Sequence, residues 1–143
     1  MIACPTPDGG VWIAENNPRR LKKADLLRKE IQYEIQTNIG DSIRFMRMHQ
    51  NIMVIADENG IHVFDQFGSQ QHFLGMKGVH YFQIVNNKLA FCAGNQYLNY
   101  DPYTGVITKS LSLNPGLSTQ VILKLKHQYL MIGERIDLYQ LIE

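Results

Sequence analysis

The sequence predicts an all-β fold, a partial β-propeller of about 3.75 blades, each blade a four-stranded antiparallel sheet. Three observations predict it. Four segments resemble one another at a period near 40 residues, with the anchors Asp25, Asp65, Asp101 and Gln140 spaced 40, 36 and 39 apart. Within each segment the apolar residues favour period two. Polar breaks fall about every eight to ten residues, the spacing of short antiparallel strands.

The copies are taken in order as blades 1–41, 42–77, 78–117 and 118–143. The first has strands near 2–6, 11–15, 20–24 and 30–36. An amphipathic helix competes there, since Leu21, Ala24, Leu27, Ile31 and Ile35 recur at three and four residues after Asn17 and Pro18. Glu30 to Gln36 also alternates apolar and polar without a fault, and three sister copies have strand character, so strands are expected. The second copy gives four clear runs: Ile43 to Met48, Ile52 to Ala56, Ile61 to Phe64 and Gln71 to Leu74. Asn59-Gly60 favours a tight hairpin, and Asp101-Pro102-Tyr103-Thr104-Gly105 places Pro and Gly where a turn uses them. The second run of each copy is the most continuously apolar, as expected of a strand covered on both faces. The fourth copy has runs near 120–126, 129–132 and 136–141 and lacks a fourth, so about fifteen strands are expected in all.

An arc of fewer than four blades leaves an apolar blade face at each end, and such a face needs a partner. That partner is either the remaining blades of a longer parent chain or a second copy in a homo-oligomer. The charge balance, 14 Lys and Arg against 13 Asp and Glu, excludes a strongly polybasic nucleic-acid binder. No stretch approaches eighteen consecutive apolar residues, so no membrane insertion is expected. Cys4 and Cys92 read as two small buried hydrophobes, and the five histidines form no local metal-binding pattern. No nucleophile elbow, P-loop or paired Ser/His/Asp spacing occurs, and no cofactor is called for.

The segment from Asp8 to Leu21 resembles the repeat of NHL-type propellers, with an Asp-Gly turn, a Trp12-Ile13-Ala14 strand and an Asn17/Arg19/Leu21 continuation. It departs from that pattern by Glu15 in place of Asp and by a two-residue insertion before Leu21. Asp101 to Gly105 is similar to the quinoprotein-type repeat. Taken whole, with Gly60 to Gly68 followed by Val79 to Val85, the chain resembles the second half of uncharacterised bacterial envelope proteins of propeller length. That resemblance implies a larger exported parent, a periplasmic or cell-envelope location and no known activity.

Propellers bind ligands at one mouth of the channel, through the turns joining second and third strands and the links between blades. The copies place Glu15, Asn16, Asn17, Arg19 and Arg20 on one such loop, Asp57, Glu58 and Asn59 on the next, and Asn95, Gln96, Glu134 and Arg135 on the others. Converging carboxylates and amides hold Ca²⁺ in lactonase-like propellers, which makes a metal-dependent hydrolase the alternative function once the ring is complete. The simpler role of these residues is to hydrogen-bond within their own turns. The basic cluster from Arg19 to Lys29 reads as a solvated outer strand, and most aromatic residues as packing, with Tyr103 the best exposed candidate for stacking. The expectation is a non-catalytic binding or scaffold module for a protein or glycan ligand.

Overall fold

The computed structural model describes residues 1–113, 119–126, 128–133 and 136–139. The chain is all-β and propeller-like, with three four-stranded sheets and one of three strands among the described residues. Blade 1 is β1 (Ile2–Pro5), β2 (Gly10–Asn16), β3 (Arg19–Asp25) and β4 (Glu30–Gln36), in that spatial order. Blade 2 is β5 (Ile43–His49), β6 (Ile52–Asp57), β7 (Gly60–Asp65) and β8 (Gln70–Gly75). Blade 3 is β9 (Gln83–Val85), β10 (Lys88–Ala93), β11 (Gln96–Asp101) and β12 (Val106–Ser112). Blade 4 is β13 (Thr119–Lys124), β14 (Tyr129–Gly133) and β15 (Ile136–Tyr139). The disputed segment 18–36 is a hairpin: Leu21 pairs with Ile35 and Lys22 with Glu34. Cross-strand pairing and packing against blade 2 override the helix-forming composition of that stretch.

The repeating anchors have a physical cause. Asp25, Asp65 and Asp101 end the third strand of their blades, and each carboxylate takes the amides of the turn that follows. Asp25 Oδ1 accepts from Leu27 and Arg28 at 2.9 and 3.0 Å, Asp65 Oδ1 from Phe67 and Ser69 at 2.8 and 2.9 Å. Asp101 Oδ1 accepts from Tyr103 at 2.9 Å and Thr104 at 3.3 Å. A short carboxylate side chain mimics a backbone turn in this way, so Asp recurs at the blade period. Gln140 lies outside the described residues.

Each described outer strand also carries a bulge, at the same place. The register shifts between Lys23 and Ala24, between Val63 and Phe64, and between Asn99 and Tyr100, just ahead of the anchor. The residues left over on the outer strands are Gln32, Gln71 and Thr108, all polar and exposed. The alternation of Glu30 to Gln36 is therefore broken: Ile31 pairs with Ala24 and faces away from blade 2, whereas Tyr33 and Ile35 face toward it. Bulges on an edge strand twist it away from pairing with another chain.

Packing runs between blades. One cluster joins blades 1 and 2 through Cys4, Trp12, Ala14, Leu21, Met53, Ile55 and Phe64. A second joins blades 2 and 3 through Val54, Ile61, Val63, Phe82, Leu89 and Phe91, and a third joins blades 3 and 4 through Cys92, Tyr97, Ile122, Tyr129 and Met131. In β6 every residue is buried, because alternate side chains enter the two neighbouring interfaces. Gly60 opens β7 at φ +148°, and a Cβ there would run into the Leu74 carbonyl oxygen, so β8 can approach only a glycine. The two turn residues of that hairpin are Glu58 and Asn59, with Gly60 already in the strand.

Cys4 and Cys92 are both buried, in different interfaces, and burial pushes each thiol up to about 11. Alkylation needs the thiolate, so native protein at pH 8 is expected to react about a hundredfold more slowly than unfolded chain, the rate rising with pH toward 11. Both thiols titrate after denaturation without reductant; recovery of fewer than two would contradict this packing.

Candidate functional site

The second-to-third-strand turns and the blade links lie at one end of the blades, and a repeated bond ties them together. The amide following each outer strand donates to a carbonyl at the inner turn: Thr37 to Arg19 at 3.0 Å, Met76 to Asn59 at 3.1 Å and Leu113 to Asn95 at 2.6 Å. The link thus doubles back over its own blade before crossing to the next. Between blades 1 and 2 the crossing is held by side chains as well.

Asp57 ends β6 and is fully buried. Its Oδ1 accepts from the amides of Asn59 and Gly60 at 2.8 and 3.0 Å, and its Oδ2 from the Gly40 amide and His62 Nε2, both at 2.6 Å. With its proton on Nε2, His62 donates to Asp57 and accepts on Nδ1 from Gln70 Nε2 at 3.2 Å. Both nitrogens of this buried ring are therefore occupied. Glu58, beside it, takes the Asp41 and Ser42 amides at 2.7 and 2.9 Å. Burial pushes the Glu58 carboxyl upward, but its own backbone amide, those of Ser42 and Asp41 and the Arg19 charge outweigh that and hold it below its ordinary value. Arg19 closes the group by gripping Asp41 through Nε and Nη2 at 3.1 and 3.0 Å.

The structure thus gathers Arg19, Asp57 and Glu58 around the 40–42 link. It separates others from them. Glu15 and Asn16 belong to β2 and Arg19 to β3, so the turn proper is Asn17–Pro18, a correction to the loop expected from the sequence. Glu15 pairs with Lys22 at 3.0 Å on the face of blade 1 turned away from blade 2, and Arg20 pairs with Glu34 on that same face. Asn95 is exposed in the turn of blade 3, and Gln96 begins β11. Glu134 and Arg135 lie outside the described residues. Calcium chemistry needs uncommitted oxygens, whereas those of Asp57 and Glu58 are already engaged; among the described residues, no three His, Cys, Asp or Glu side chains cluster to hold a metal ion.

Two clefts flank this network. One, of about 790 Å³, is lined by Asn38, Asn59, His62, Gln70, Phe73, Gly75, Met76 and Lys77. The other, of about 720 Å³, is lined by Asn17, Pro18, Arg19, Gln36, Thr37, Asn38 and Asp41. Asn38 is a wall of both. The first offers an apolar side in Phe73 and Met76 over the His62–Gln70 pair; the second is polar. His62, Gln70, Phe73 and Met76 escape a reading of loops because they sit on or just after the outer hairpin. The available signal is strand register: Ile55 pairs with His62, which puts His62 one step from Asp57 on the same face of the sheet. At the opposite end a smaller cavity, about 200 Å³, is lined by Thr6, Asp8, Trp12, Lys23 and Gln66 among others. Lys23 and Asp8 pair there at 2.5 Å, and the Lys23 and Thr6 side chains hold the Asp8 carboxyl down at about 2.

No family model matches this sequence, and no curated protein matches it. Solved structures do. The chain is similar to the computationally designed Ika8 protein (12% identity, TM-score 0.73), covering 97% of this chain and 45% of that one. It is similar to the computationally designed Ika4 protein (12% identity, TM-score 0.70), covering 95% and 88%. It is also similar to a europium-containing methanol dehydrogenase (13% identity, TM-score 0.58), covering 73% of this chain and 23% of that one. The chain therefore spans less than half of the Ika8 chain. At these identities the likenesses establish the propeller-like fold.

Replacing Asp57 by Ala strands two buried amides, the Asn59 amide and the buried His62 ring, and is expected to cost about 3–5 kcal/mol in urea denaturation. Glu34→Ala, which removes only the half-exposed Arg20 partner, should cost under about 1 kcal/mol. Equal losses would show that the Asp57 network does not hold the link.

Proposed function

We propose that the chain is a non-catalytic binding and scaffold module that works within a larger ring, completed by a second copy of itself. The observation that carries this reading is the asymmetry of burial across blade 1. In β2, Trp12 and Ala14 are fully buried while Val11, Ile13 and Glu15, which alternate with them, stay partly exposed, whereas β6 in blade 2 is buried on both faces. A central strand with Val and Ile on a half-covered face is suited to a further blade. The Ika8 likeness supports the same reading, since this chain matches under half of a chain just over twice as long. Further blades on a longer parent chain are the other way to cover that face.

The ligand surface of this reading is the pair of clefts walled by Asn38. An apolar side at Phe73 and Met76 beside hydrogen-bonding groups at Asn17, Gln36 and Arg19 suits a protein segment carrying one apolar side chain among polar ones. The commitment of both His62 nitrogens and of the Asp57 oxygens supports binding over catalysis. The resemblance to envelope propellers makes an exported bacterial protein the setting of the proposal.

Light scattering on the purified chain is expected to report two copies per particle, and Ile13→Glu on the half-covered face to shift it to one copy with its strand content intact. A wild-type monomer at high concentration would overturn completion by a second copy. An Ile13→Glu particle of unchanged mass would remove blade 1 from the interface.

A further inference from the structure

Eleven large apolar side chains among the described residues are exposed, and five of them gather at the end opposite the clefts: Leu26, Leu27, Phe67, Tyr103 and Leu125. The three described third-to-fourth-strand turns emerge at this end, because strand order and direction are the same in blades 1 to 3. Leu27, Phe67 and Tyr103 hold one position in three successive turns, two residues past the anchoring aspartate, and each donates its amide to that carboxylate. Their exposures are 89%, 56% and 40%. A single exposed apolar residue is ordinary on any surface. The same position exposed in three consecutive repeats is a pattern, and the backbone bonds fix where each side chain leaves the turn.

We propose that this end docks on the surface of an anionic lipid bilayer, the turn-apex side chains of three blades entering the headgroup boundary together. The apices are separated by whole blades, with polar residues such as Gln66 and Thr104 beside them, so they form no continuous desolvated centre of the kind a protein interface uses. A bilayer needs no such centre, since it admits each apolar side chain independently and places aromatic rings at headgroup level. Charge at this end is mixed, with Asp8 and Glu30 also present but paired to Lys23 and Arg28. The carboxylates of Asp25, Asp65 and Asp101 are turned back on their own amides, while Lys29 in the first turn and Lys126 beside Leu125 have no ion-pair partner among the described residues. Basic side chains beside apolar tips are attracted to anionic headgroups. The proposal does not rest on ring completion, and lipid binding is read the same for one copy or two.

Co-sedimentation with vesicles tests it. Vesicles of about three parts phosphatidylcholine to one part phosphatidylserine should carry the wild-type chain down, with binding lost on raising salt from about 0.1 to about 0.5 M, and vesicles of phosphatidylcholine alone should carry down much less. Leu27→Ser with Phe67→Ser should lower the partition coefficient about tenfold or more while strand circular dichroism is unchanged. Lys29→Gln and Lys126→Gln should each lower it about fivefold, and these leave the apices in place should the serine pair fail to fold. Failure of the wild-type chain to sediment with phosphatidylserine vesicles overturns the proposal. So does a folded serine pair that sediments like wild type, an outcome that would turn this end over to a protein partner or to none.

Discussion

A sheet that is apolar on both faces can be covered only by two other sheets, and the middle of this chain is built of such sheets. Every residue of β6 is buried, with Met53 and Ile55 facing blade 1 and Val54 and Ala56 facing blade 3. β10 repeats the arrangement, sending Leu89 and Phe91 to one side and Ala90 and Cys92 to the other. Burying large aliphatic and aromatic side chains stabilises by roughly 1.5–3 kcal/mol each, so the interfaces between blades outweigh any single turn or ion pair. Everything else follows from stacking: a link must cross from the outside of one blade to the inside of the next, and the end of a stack has a face left over.

Crossing is where the polar chemistry concentrates. The link from blade 1 to blade 2 passes a buried carboxylate that takes three backbone amides and a histidine, and a second carboxylate takes the two amides that follow Gly40. A buried Asp is costly unless its lone pairs are satisfied, and here they are. The clefts on either side of Asn38 are by-products of this crossing, since the chain must leave room where two tilted sheets diverge. Their walls are therefore set by the fold, with Phe73 on one and Arg19, tied to Asp41, on the other.

The fold was legible because its repeat is carried by residues with a local job. Asp25, Asp65 and Asp101 mark the period in the sequence and cap the same turn in the structure. The strand character of 18–36 was legible too, through the alternation of Glu30 to Gln36 and the strand character of the sister copies, and the structure pairs Leu21 with Ile35 there. The bulge opposite Gln32 was not, since nothing in an alternating run says where a partner strand slips by one residue. The candidate site was half legible. Loop residues could be placed at the end where the blade links cross, yet the role of Asp57 depends on Gly40 and His62, which meet it only once blades 1 and 2 are packed. Phe73 and Met76 were hidden for the same reason, because a cleft between two sheets has no signature in either one alone.

Amide hydrogen exchange, followed strand by strand, tests the stacking account most directly. Backbone groups between two covered faces open only with the whole stack, whereas those of an outer strand open locally. The account predicts slowest exchange in β6 and β10, faster exchange in β2, and fastest among these in the outer strands β4, β8 and β12. Protection of β4 equal to that of β6, or rapid exchange throughout β6, would contradict a fold held together by the interfaces between its blades.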